Sequence, residues 1–305
     1  MPVSEHDKTV LRELGARLAE IGQCPEQARR AELWRRLNAL QRTRPLVYIN
    51  EVPWWEMNVR DELTCRCEDE SLHGLEGQLR RTLYQWDHFR GDMVVDPWLQ
   101  CPLLTHDTGF GVQGHEVRSQ DFEGVNAADF EPVISTMEDV EKIRMPTVTV
   151  DREASDRLYE QYRDIFDGVI DVRQVGRSTM WCAPWDILVQ WTGITELMID
   201  MIDRPDFINA AVSRMVDALL HRLNQLERQG ALAVTNNNHR VGSGGLGITD
   251  DLPADDYAGG PARTKDIWGT STGQIFSEVS PDMHWEFCLR HEMRWLERFG
   301  LNCYG

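Results

Sequence analysis

The stretch that decides the fold runs from residue 169 to residue 234. Val169-Ile170-Asp171-Val172-Arg173-Gln174-Val175 reads as a strand, Ile194 to Gln229 carries apolar residues at helical spacing, and Ala231-Leu232-Ala233-Val234 reads as a strand again. Pro205 divides the helical stretch in two, and Gly230 stands where a left-handed residue closes a helix. Strand, helix and strand in this order make a parallel crossover unit. The same alternation extends outward. Upstream, Leu46-Val47-Tyr48-Ile49 and Met93-Val94-Val95 read as buried strands, with helices over 72–89 and 152–166. Downstream, a helix over 283–299 leads into Leu301-Asn302-Cys303-Tyr304-Gly305. Thr136, with Asp139 three residues on, marks a further helix start. Residues 101–135 read as an excursion with a small antiparallel flap, 235–270 as a long loop insertion, and Gln274-Ile275-Phe276 as a short strand. No G-x-G-x-x-G follows the first strand, which weighs against a dinucleotide-binding sheet. The expectation is an α/β fold of the TIM-type (β/α) barrel kind over 45–305, preceded by a two-helix extension over 1–44.

Composition narrows the partners. The 305 residues are 41% hydrophobic and 27% charged, in the range of globular domains. Fifty acidic against 32 basic residues leave a net charge of −18, which repels nucleic acid and anionic lipid. No stretch has the length of a membrane span, and Met1 to Val10 has neither a basic nor an apolar signal region, so neither nucleic acid nor membrane is an expected partner. Seven cysteines, an odd number with one close pair at Cys65 and Cys67, point to reduced thiols and a cytoplasmic location.

In a (β/α) barrel, functional side chains follow the strands. Here those positions hold Glu51, Trp54 and Trp55, then Asp96 and Trp98, then Trp181, Trp185 and Asp186, then Asn236-Asn237-Asn238-His239, and further on Glu278, His284, Asn302 and Cys303. An acidic, amide-rich and aromatic set suits a small substrate with a flat or apolar body and a few hydrogen-bonding groups. Glu51, Trp54, Trp55, Trp98, Trp185, Asn237 and His239 are the expected substrate contacts. Each has a plainer reading: tryptophans as core, Asp96 as a turn former before Pro97, the asparagines as turn residues. Gly242-Ser243-Gly244-Gly245-Leu246-Gly247 lacks the ending of a P-loop and reads as a lid or a tight turn.

Several segments, taken in order, resemble the uroporphyrinogen decarboxylase superfamily, which includes zinc-dependent methyltransferases that serve corrinoid proteins. Asp92-Met93-Val94-Val95-Asp96 resembles the second-strand segment ending in an essential aspartate, and Cys182-Ala183-Pro184-Trp185 the Gly-x-Pro-Trp/Phe segment after the third. Glu196 to Asp206 resembles the helix pair that follows, and Ser277 to Phe287 the approach to the fifth strand. Leu301 to Gly305 resembles the His-x-Cys-Gly segment of the methyltransferases. The resemblance implies Asp96 as the catalytic residue, and zinc on Cys303 with Glu278 or His239. It also implies methyl transfer between a small substrate and a corrinoid protein or a thiol. Two departures are visible. Asn50 to Trp55, with Glu51, stands where the decarboxylases carry an arginine-rich carboxylate-binding segment, and Asn302 stands at the zinc histidine. Gly305 falls where the family's fifth strand ends. The resemblance therefore implies three further strand–helix units, either cut off by truncation of the sequence, or supplied by a second chain from a split gene, or replaced by a second copy in a homodimer. The alternatives are a metal-free decarboxylase or lyase of the same superfamily, and an incomplete barrel that acts only as a binding or partner subunit.

Overall fold

The structure is a computed structural model that describes residues 3–118 and 128–305; residues 119–127 of the expected flap lie outside it. It is a mixed α/β fold, about half helical, with small parallel sheets. In chain order the elements begin with α1 (Glu5–Gly22), α2 (Pro25–Asn38), the single turn α3 (Trp54–Met57) and α4 (His73–Phe89). Next come β1 (Trp98–Pro102), β2 (Thr105–Asp107), β3 (His115–Arg118), β4 (Ala128–Glu131), β5 (Val148–Val150) and α5 (Arg152–Phe166). They are followed by β6 (Asp171–Val175), β7 (Met180–Cys182), α6 (Pro184–Thr192), α7 (Ile194–Asp203) and α8 (Pro205–Arg228). The chain then runs through β8 (Trp268–Ser271), α9 (Pro281–His284), a π-helical turn at Trp285–Leu289, α10 (Arg290–Leu296) and β9 (Leu301–Tyr304).

The helices lie where apolar spacing places them, and polar caps start them. Ser4 Oγ accepts from the Asp7 N–H at 3.1 Å, and Asp151 from Ala154 at 2.9 Å. Pro205 is the first residue of α8, and Gly230 closes it at φ +63°. Thr136 and Asp139 exchange backbone-to-side-chain hydrogen bonds at 3.0 and 3.3 Å, and the helix they start is one 3₁₀ turn at Glu138–Lys142.

The strands differ more from expectation. β1 pairs parallel with β6, and β7, β8 and β9 form a three-stranded parallel sheet. β2 pairs antiparallel with β5, and β3 with β4. Met93 to Val95 is buried but joins no ladder, because side chains take its backbone groups. Arg30 and Asn38 belong to α2, and Arg30 donates to the Met93 carbonyl at 2.9 Å. Asn238 donates to the Val94 carbonyl at 3.0 Å, and Gln27 Oε1 accepts from the Val95 N–H at 2.9 Å. Asp96 therefore precedes a strand, β1, rather than following one. Leu46 to Ile49 likewise forms no strand: Val47 exchanges its backbone groups with Asp92, whose carboxylate also binds Arg44. Of the expected strand at 231–234, one parallel bridge remains, between Leu232 and Arg177. It needs a close approach: a Cβ on Gly176 would stand 2.3 Å from the Ala231 carbonyl oxygen. Gln274 to Phe276 is a 3₁₀ turn, and the end of the expected 235–270 loop is strand β8, hidden because only small residues, Gly269-Thr270-Ser271, follow Trp268.

Two main apolar clusters hold these elements. One lies between α1, α4, α5 and the β1–β6 pair, and the other between α6, α7, α8, α10 and β7. A third, small cluster joins Trp34 of α2 to Val94, Leu246 and Ile248, and Asn38 donates to the carbonyls of Leu246 and Ile248. That cluster fixes the 236–248 segment against Met93 to Val95. Among the described residues, no helix is long and apolar enough to cross a membrane.

Candidate functional site

His239 is the centre of the candidate site. Local hydrogen bonds set its position: its N–H donates to Asn237 Oδ1 at 3.0 Å, and its carbonyl accepts from Gly247. The ring is clamped on both sides. Gln100, on β1, meets Nε2 at 2.7 Å, and the Ser178 hydroxyl, between β6 and β7, meets Nδ1. With the Gln100 amide donating to Nε2, Nδ1 carries the proton and donates to Ser178. The opposite amide orientation reverses both roles. Either way the ring donates once and accepts once, the pattern of a neutral imidazole. Burial lowers its pKa, which favours the same neutral form.

Two cavities meet at this residue. The larger, about 480 Å³, lies between β1, β6 and the 230–239 segment and is lined by Asn236, Asn237, Arg152 and Arg173 among others. The smaller, about 280 Å³, is lined by Asp96, Tyr48, Val94 and Asn238. Trp98, Gln100 and His239 line both. Asp96 is half-buried, and burial pushes its pKa up to about 6 against a smaller opposing pull from the Arg173 guanidinium. The smaller cavity thus holds an acid that keeps its proton up to about pH 6 and an imidazole whose neutral form burial favours, the two groups that general acid–base chemistry needs.

The other expected site residues fall in different places. Asn237 and Trp98 line the cavities, and the Arg173 guanidinium stacks 4.7 Å above the Trp98 ring. Glu51 is exposed and paired with Arg240, 2.7 Å away, and neither lines the cavities. Trp54 packs on α4 against Tyr84 and Phe89, and Trp55 is 83% exposed; neither lines the cavities. Trp185 is not a substrate wall: it is 1% exposed in the core, edge-on to Phe276, with Nε1 donating to the Phe287 carbonyl at 3.1 Å. Trp185→Phe is expected to cost about 1–2 kcal/mol in a denaturant titration, by leaving that buried carbonyl unpaired, and to leave ligand binding at His239 unchanged.

The expected zinc ligands do not converge. Cys303 faces the glycine-rich turn, where a Cβ on Gly242 (φ +56°) would stand 3.0 Å from its sulfur. Glu278 is exposed after a 3₁₀ turn, and both ring nitrogens of His239 are committed to Gln100 and Ser178. Among the described residues, no group of three His, Cys, Asp or Glu side chains is gathered to hold a metal ion. The residues present do not fit zinc. The same turn is packed rather than lid-like, closed by the Val241 N–H donating to Gly245.

A second buried group lies under β8 and β9. Glu292 of α10 is 0% exposed, and among the described residues neither carboxyl oxygen has a partner in hydrogen-bond geometry; burial pushes its pKa up to about 7 against smaller opposing pulls from the Ser271 and Cys288 side chains beside it. The nearby Ser271 hydroxyl is already donated to the Cys182 carbonyl. Burial also raises the pKa of the neighbouring Cys182 and Cys288 thiols, so they are poor nucleophiles.

Sequence reasoning passed over Gln100, Ser178, Arg152, Arg173 and Glu292. Only Ser178 carried a local signal, as part of the polar run Arg177-Ser178-Thr179 between two apolar segments. In comparisons with known proteins, no family model matches the chain, no curated protein is significantly similar to it, and no solved structure matches it.

Proposed function

We propose that this chain is an enzyme of the uroporphyrinogen decarboxylase type, with the parallel ladders β1–β6 and β7–β8–β9 as parts of a (β/α) barrel wall. It acts on a small substrate held at His239 by protonating the atom from which a substituent departs. The observation that carries this reading is Asp96, an acid with its pKa raised to about 6, in the cavity that His239 and Gln100 also line. The departing substituent is a methyl group. Once it leaves a heteroatom, that atom needs a proton, which Asp96 supplies, and Trp98 shields the exchange from bulk water. A corrinoid on a partner protein, or a thiol, would accept the methyl group. Cys303, Glu278 and His239 do not assemble a zinc site, so no step runs through zinc.

A second reading, a metal-free decarboxylase of the same superfamily, is favoured by that lack of convergence, since it needs the same acid and no ligand set. The test is product analysis: the chain is incubated with cob(I)alamin and small O-, N- and S-methylated acids. Methylcobalamin formation supports the first reading. Carbon dioxide release without a corrinoid supports the second. Neither product from any substrate would overturn both.

A further inference from the structure

The charge of the larger cavity is opposite to that of the chain. In a protein of net charge −18, its wall holds two arginines, Arg152 and Arg173, and no aspartate or glutamate. Both guanidiniums keep donors free. Arg173 gives Nε to Asp171, which stands outside the cavity, and Arg152 gives one terminal amino group to the Gln229 carbonyl; among the described residues neither makes another hydrogen bond. The Arg173 guanidinium lies over the Trp98 ring, whose face attracts the cation and holds it at the cavity wall. Asn237 and the neutral His239 add uncharged polar groups to the same wall, and His239 also lines the compartment of Asp96.

We propose that the larger cavity binds the anionic end of the substrate, a carboxylate or phosphate held by Arg152 and Arg173, while the rest of the molecule passes Trp98 and His239 toward Asp96. This rests on reading the His239 cavities as the substrate site. Guanidinium forks match planar oxyanions, and their charge is undiminished at any working pH. The anion is a handle retained through the reaction, so its binding energy orients the reacting atom in the smaller compartment. The segment at 50–55 has no part in it, since Glu51 there is paired to Arg240.

The experiment is calorimetric titration of the full chain with benzoate, phenyl phosphate and benzamide, on the wild type and on Arg152→Gln, Arg173→Gln and Arg214→Gln. Arg214 lies outside the cavity, bonded to the Ile143 carbonyl and to Glu141, and serves as the control. At least one anion is expected to bind in the millimolar range, benzamide about tenfold more weakly or not at all, and each cavity variant to lose about tenfold. Preference between the two anions identifies the source. Added salt should weaken binding to the wild type, a check that needs no variant. Equal binding of benzamide, no saturable binding of either anion, or cavity variants that bind like Arg214→Gln would overturn the proposal. Charge-selective binding without turnover that needs Asp96 would keep the anion site and remove the proposed reaction.

Discussion

Asp96→Asn is expected to lower turnover by about 10²–10⁴-fold while the chain keeps its fold, because the amide has the shape of the acid and no proton to give. The wild-type pH profile carries the same claim. Burial raises Asp96 to about 6, so the donating form predominates below that pH and is lost above it. The rate should therefore fall as pH rises through about 6, approaching tenfold per unit beyond it. Burial lowers the pKa of His239, so the same rise in pH favours its neutral form. A flat profile across that interval, or an Asp96→Asn variant as active as the wild type, would remove Asp96 from the chemistry. In the same assay Ser178→Ala should shift the profile less than it lowers the rate, since Ser178 orients the ring of His239 and carries no proton into the reaction.

The second large effect concerns stability. Among the described residues Glu292 is a carboxyl group sealed in the core with no partner in hydrogen-bond geometry, and its pKa rises from an ordinary 4.5 to about 7. A raised acid pKa means that the folded state holds the proton more tightly than the unfolded chain does. The contribution is fully present below the unfolded value and declines as pH climbs through the folded one, by about 3 kcal/mol in all. Denaturant titrations should show Glu292→Gln gaining about that much relative to the wild type between about pH 4.5 and pH 7, since the opposing slope of His291, whose pKa burial lowers to about 4, and that of Asp96 are common to both proteins and drop out of the difference. If the amide packs poorly, Glu292→Met tests the same point without any polar atom. A difference between wild type and variants that stays constant across this window, with both variants destabilised above it, would show that Glu292 is ionised in the fold.

Helices were legible because their signal is local. The spacing of Leu79, Leu83 and Trp86, or of Val212, Met215, Val216 and Leu219, needs only a few neighbouring residues, and Pro205 and Gly230 mark ends by their own geometry. Strands were less legible because pairing is decided elsewhere in the chain. Met93 to Val95 has the composition of a strand, yet Arg30, Gln27 and Asn238 take the hydrogen bonds a neighbour would have made. Strand β8 has the reverse character: small polar residues that pair because β7 and β9 arrive on either side.

The candidate site divides in the same way. Asp96, Trp98, Asn237 and His239 could be picked by residue type and are brought together. Gln100 and Ser178 owe their role to a histidine 139 and 61 residues away, which no local pattern reveals. Trp185 shows the converse: its sequence position suited a substrate wall, but Phe276 and the Phe287 carbonyl hold it in the core.

The central claim, that Asp96 is a proton donor in the cavity that His239 also lines, can be tested without knowing the substrate. The measurement is the carboxyl ¹³C chemical shift of Asp96 followed through a pH titration of the folded chain. The account predicts a midpoint of about 6, whereas a midpoint at the ordinary value of 3.8 would contradict it.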